Sequence, residues 1–138
     1  MEKQIKIIVK ILLLAFLFSA LAGCTPEGDE DFSLPRDKYI GSWLCRDEDG
    51  AGYYATISSD PSNSAQVIIK NYCRFQGTVT ALVTNESITV TKQIMQGIPG
   101  TYWCEGNGSL TKRAGIYTIH WWKYNAYEIE TTSVYTKQ

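Results

Sequence analysis

From residue 39 to the end of the chain, apolar and polar side chains alternate with a period of two, in runs interrupted roughly every ten residues by Gly, Asn, Asp or Ser. Alternation of this kind marks strands with one buried and one wetted face. The runs predict strands at 39–46, 52–58, 65–72, 78–83, 87–92, 101–110, 115–124 and 127–136. Tyr53, Ala55 and Ile57 share one face, as do Val67 and Ile69; Val79, Ala81 and Val83; and Ile88 and Val90. Residues 47–50 and 60–64 read as polar turns, and 84–86 as a hairpin link. Residues 93–100 read as a loop, because Gly97, Pro99 and Gly100 fall within them; 111–114 reads as a turn and 125–126 as a short connection. No stretch after Cys24 sustains a 3.6-residue apolar period, so no long helix is expected.

Sequential strands on short links favour antiparallel neighbours, and closing the sheet removes its edges. The expected fold is therefore all-β, an eight-stranded antiparallel up-and-down barrel, with a sandwich as the alternative. A barrel of that size holds side chains or one small ligand. Gly106 and Gly108 share one face of the sixth strand and permit a bend or the close approach of a neighbour.

The N-terminus follows another pattern. Lys3, Lys6 and Lys10 precede an apolar stretch, 11–21, whose only polar residue is Ser19. This is the form of a secretory signal, too short for a membrane-spanning helix of about 20 residues. Leu21-Ala22-Gly23-Cys24 resembles the lipobox of bacterial lipoproteins. That resemblance implies removal of residues 1–23, acylation of Cys24 and anchoring to the outer membrane, facing the periplasm or the cell surface. Two or more acyl chains anchor stably, each buried CH₂ contributing about 0.8 kcal/mol. Residues 24–37 then form an acidic flexible tether and 38–138 the barrel domain. The acidic residues that follow Cys24 resemble the surface-export signal of Bacteroidetes lipoproteins.

Gly41-Ser42-Trp43 resembles the Gly-x-Trp opening of lipocalins. Gly106 and Gly108, followed by Leu110 and an Ile/Tyr-rich strand, resemble small lipocalin-like lipoproteins of the Bacteroidetes. The resemblance implies a late basic residue covering the opening Trp, for which Lys123 and Lys137 are the candidates. The Thr-Asp-Tyr motif of lipocalins is absent. Trp43 is expected as a plug in the floor of the barrel, with ligand contact as the alternative.

Removing residues 1–23 takes three lysines and one glutamate from 13 basic and 14 acidic residues, leaving a net charge of about −3. No basic face is in prospect for nucleic acid. Cys45, Cys73 and Cys104 allow one disulfide and one spare thiol in an oxidising compartment, with the pairing open. They include no Cys-x-x-Cys pair and have a single His to join them, so no metal site and no cofactor are assigned. His120 reads as a partly buried, hydrogen-bonded imidazole. No nucleophile elbow, Walker A or His-Glu-x-x-His motif occurs, and no catalytic residue is assigned. Glu105 with Glu128 or Glu130 could supply a carboxylate pair for glycoside hydrolysis, and solvated strand faces explain them as well.

Aromatic residues are dense at the end of the chain: Trp103, Tyr117, Trp121, Trp122, Tyr124 and Tyr127. Neighbouring Trp121 and Trp122 must face opposite ways. The ligand-binding candidates are Trp43, Trp103, Trp121, Trp122, Tyr124 and Tyr127. Trp43, Trp103 and one of the 121/122 pair would line a lumen for a small apolar ligand. An outward Trp beside Tyr124 or Tyr127 would instead meet a glycan or protein. The expected function is a lipid-anchored binding module without catalysis. The alternatives are a surface glycan-binding module and an inhibitor of a host or bacterial hydrolase presenting the 93–101 loop.

Overall fold

The computed structural model describes residues 34–138; residues 1–33, on which the expected signal segment 1–23, Cys24 and most of the expected tether fall, lie outside the described residues. Eight strands follow one another: β1 (Gly41–Asp47), β2 (Gly52–Ser59), β3 (Gln66–Tyr72), β4 (Gly77–Val83), β5 (Ser87–Gln96), β6 (Thr101–Arg113), β7 (Ile116–Ala126) and β8 (Ile129–Lys137). Each pairs antiparallel with the next, and β8 returns to β1 to close an up-and-down barrel, consistent with a lipocalin-like domain. The period-two pattern produces it directly. Along β4, Gly77, Val79, Ala81 and Val83 are buried while Thr78, Thr80 and Leu82 face water.

The chain enters through a 3₁₀ turn, Pro35–Lys38, with Pro at the position where its fixed φ and missing N–H cost nothing. Residues 35–37, read from sequence as tether, thus belong to the folded domain. The Arg36 guanidinium donates to the Asp60 and Asn63 carbonyls at 2.8 and 2.9 Å, tying the turn to the β2–β3 connection. Trp43 closes this end. It is fully buried, and its indole N–H donates to the Tyr39 carbonyl at 2.7 Å. The Lys137 ammonium stands 5.9 Å from the Trp43 ring centre and 5.4 Å from that of Tyr117, and donates to the Lys38 carbonyl at 3.0 Å. Of the two late basic candidates, Lys137 covers Trp43; Lys123 pairs with Glu105 at 3.0 Å on the outer face.

Several boundaries differ from the sequence expectation. β5 continues through residues 93–96, because a bulge between Val90 and Gln93 resets its faces and lets Met95 turn inward. The β5–β6 connection is therefore four residues, not the longer loop the inhibitor alternative would present. β6 runs on to Arg113, and the turn is Ala114-Gly115, both at positive φ. The β7–β8 turn is Tyr127-Glu128, at φ 57° and 61°, two residues beyond the expected connection. Positive φ at both central residues suits the twist of a tight hairpin, but Asn-Gly normally announces it and Tyr-Glu does not.

Gly106 and Gly108 face the interior. A Cβ at Gly106 would collide with the Tyr72 hydroxyl and crowd the Trp121 ring, so the missing side chain is what admits both aromatics. Cys45, Cys73 and Cys104 are buried free thiols in this structure, in place of the expected disulfide.

Candidate functional site

At the end opposite Trp43, the interior carries a hydrogen-bonded group of tyrosines. The Tyr53 and Tyr124 hydroxyls are 2.6 Å apart, and Tyr124 also bonds the hydroxyl of Tyr135. The Cys73 backbone N–H donates to Tyr124 at 2.7 Å. Asp47 ends the chain of hydroxyls: Tyr53 and Ser133 donate to its Oδ1 at 3.1 and 2.7 Å, and Arg74 Nε lies 3.5 Å from Oδ2. A carboxylate only accepts, so Tyr53 donates to Asp47, leaving its oxygen for Tyr124, whose oxygen receives Cys73 and Tyr135. The rings pack as well, Tyr72 on Tyr124 at 4.5 Å and Trp121 on Tyr124 at 5.4 Å.

The β3–β4 connection curls over this mouth. Asn71, Cys73, Arg74 and Gln76 all have positive φ, a conformation that costs roughly 1–3 kcal/mol per non-glycine residue and needs outside support. Asn71 supplies part of it, donating to the Tyr54 carbonyl at 2.7 Å and accepting from the Gln76 N–H at 3.0 Å. Arg74 supplies more, bridging Asp47 to Asp49, the latter at 2.9 Å. Beneath it remains a space of about 30 Å³ bordered by Asp47, Cys73, Tyr124 and Ala126, the scale of one water molecule.

Burial sets the proton affinities here. It raises the Asp47 carboxyl above the usual carboxylate value, against the opposing pull of Ser133, Tyr53 and Arg74. The phenols of Tyr53, Tyr72, Tyr124 and Tyr135 are pushed up by the same cause. Burial also lifts the Cys45 thiol to about 12 and the Cys104 thiol to about 11, which keeps both protonated and unreactive at neutral pH.

The outer wall offers a different surface. Where the bulge interrupts β5–β6 pairing, a groove of about 250 Å³ opens, lined by Lys92, Trp103, Cys104, Glu105, Asn125 and Glu128. Trp103 is 58 % exposed, with the Lys92 ammonium 5.6 Å from its ring centre. Ile94, its cross-strand partner on β5, is exposed too. Tyr127, 62 % exposed, donates its backbone N–H to the Trp103 carbonyl and stacks edge-on against Tyr102 at 5.2 Å.

The six aromatic candidates thus divide equally. Trp43, Trp121 and Tyr124 are buried, and Trp103, Trp122 and Tyr127 are exposed. Trp103 was expected inward with Trp43; instead it faces solvent, since Tyr102, Cys104 and Gly106 take the inner positions of β6. Tyr124 was expected beside an outward Trp. A bulge between Trp121 and Tyr124 sends both inward, leaving Trp122 outside and apart from the groove. His120 is exposed rather than partly buried. Glu105 and Glu128 do share the groove, while Glu130 is not among its lining residues. Sequence reasoning missed Lys92 and Asn125, and it missed Asp47, Tyr53, Tyr72 and Tyr135 at the mouth. The strand-forming character of tyrosine conceals which of them converge.

Comparisons of the chain with protein-family models, with curated proteins and with solved structures found no match.

Proposed function

We propose that the protein is a lipid-anchored binding module of the cell envelope, moored through Cys24, which engages its partner on the outside of the barrel and performs no catalysis. The observation that carries this reading is the division of the aromatics. Trp43, Trp121, Tyr72, Tyr124 and Tyr135 fill the interior, while Trp103 stands in solvent at a groove and Tyr127 is exposed on the adjoining β7–β8 turn. A carrier of apolar ligands needs a cavity, whereas large buried rings occupy this interior and the space beneath the β3–β4 connection is the size of a water. Exposed aromatics beside a concavity are the usual mark of a contact surface. The lipobox at 21–24 and the likeness to small lipocalin-like lipoproteins of the Bacteroidetes support the outer-membrane location.

Hydroxyl-radical footprinting of the full-length protein tests this, in envelope membranes and after purification in detergent. Trp103 and Tyr127 should oxidise several-fold less in the envelope, with Trp122 equal in both and Trp43 and Trp121 protected throughout. Equal oxidation of Trp103 in the two states would end the outer-face reading. So would a stoichiometric small molecule retained inside the purified protein by native mass spectrometry.

A further inference from the structure

We propose that the groove beside Trp103 takes an uncharged sugar ring, a pyranose residue of a neutral polysaccharide; this rests on the outer-face binding reading and names its ligand class. Three observations converge. The first is the platform. Trp103 lies on a rigid strand between an ion-paired Glu105 on its own face and Ile94 across the ladder, and more than half of it is open. The face of an indole carries the negative part of its quadrupole, and the C–H groups on one side of a pyranose carry the complementary partial charge.

The second is the ring of polar groups. Lys92 has three N–H donors, Asn125 has both donors and acceptors, and Glu105 and Glu128 accept. Sugar hydroxyls are donors and acceptors at once, and neighbouring hydroxyls suit a carboxylate that accepts two bonds. Among the described residues, Lys92 and Glu128 make no ion pair; Lys92 rests over the Trp103 ring at 5.6 Å and must swing aside to donate to a ring stacked there, while Glu128 can accept directly. Lys123 holds Glu105 at 3.0 Å, which fixes one acceptor in place before any ligand arrives.

The third is charge and size. Lys92 and Lys123 balance Glu105 and Glu128, so the groove has no net field to favour a phosphate, an acidic peptide or a cationic ligand. Its volume of about 250 Å³ lies just under the roughly 300–1,000 Å³ of drug-sized pockets and suits one ring better than a protein loop.

Native electrophoresis of the full-length protein in detergent, through gels containing dextran, mannan, laminarin, xylan or polygalacturonate, tests the inference. One of the neutral polymers should retard the protein. Trp103→Ala should weaken that retardation at least tenfold, Trp103→Phe should retain part of it, and Trp122→Ala should behave as the parent. Both tryptophans are on the outer face, so their loss leaves the core untouched. Retardation by polygalacturonate alone, or equal retardation of parent and Trp103→Ala, would overturn the proposal. If no neutral polymer retards the protein while Trp103 remains shielded in the envelope, the sugar is wrong and the outer-face reading stands. If Trp103 is also unshielded, both fall.

Discussion

Where the chain enters the barrel, closure is by one large apolar ring whose single polar atom bonds a backbone carbonyl, with Lys137 laid across it. At the opposite mouth, closure depends on a buried carboxylate, three linked phenols and an arginine on a backbone curl of positive φ. Both ends are shut, but by interactions that respond to different perturbations. The first depends on volume and changes little with pH. The second depends on every polar group finding its partner, and its central acid titrates. Closure at both ends is what led us to propose the outer wall as the contact surface.

The two ends should differ most when the plug is removed. Trp43→Ala deletes a fully buried indole and should cost about 3–5 kcal/mol, read from urea unfolding followed by far-UV circular dichroism. Removing the buried carboxylate at the mouth should cost less, because it leaves a smaller cavity. A Trp43→Ala loss under 1 kcal/mol would show that the 3₁₀ turn, not the indole, closes that end.

The next largest effect separates the two neutral replacements of Asp47. Asp47→Ala leaves the Tyr53 and Ser133 hydroxyls without their acceptor and should cost about 1–3 kcal/mol. Asp47→Asn keeps an acceptor oxygen and should cost far less. The pH dependence gives the sign. Burial raises the folded carboxyl above the value it has in the unfolded chain, so the folded state binds the proton more tightly. The contribution of Asp47 is then fully present below the ordinary carboxylate range and is lost as pH rises through its raised folded value. Stability of Asp47→Asn relative to the parent should therefore increase across that window and level off above it. Asp49 works in the opposite direction: its Ala51 and Arg74 partners lower it, and its contribution is lost as pH falls. Chemical denaturation between pH 3 and 7 measures the difference. A relative stability that falls with rising pH would show Arg74 outweighing burial.

The staves of the barrel were legible because alternation is local: Val79, Ala81 and Val83 declare their face without reference to any other strand. The bulges were not, since a skipped pair leaves no mark in composition. Two of them decide the site, one bringing Lys92 to the groove and the other taking Tyr124 into the core. The convergence of Tyr53, Tyr124 and Tyr135 was hidden for another reason, because residues far apart in the chain meet only once the register of every intervening strand is known. Glycine showed more. Gly106 and Gly108 were visible as a face with room on it, though not that Tyr72 and Trp121 would occupy it.

The smallest effect expected concerns Lys137, and it tests how far the floor depends on charge. Its ammonium faces the Trp43 and Tyr117 rings and donates to the Lys38 carbonyl. Lys137→Met keeps the length of the stem and loses the charge, removing about 0.5–1 kcal/mol of cation–π attraction together with a modest hydrogen bond. Lys137→Arg should recover most of that, because a planar guanidinium stacks on aromatic faces and still donates. Lys123→Met supplies the contrast. It breaks a half-exposed ion pair with Glu105, of the kind worth about 0–1 kcal/mol, and leaves Trp43 untouched. Near-ultraviolet circular dichroism distinguishes the two, since a loosened floor changes the aromatic signal and a lost surface pair does not. Should Lys137→Met match the loss from Trp43→Ala, the lysine would be the closure and the indole only its support.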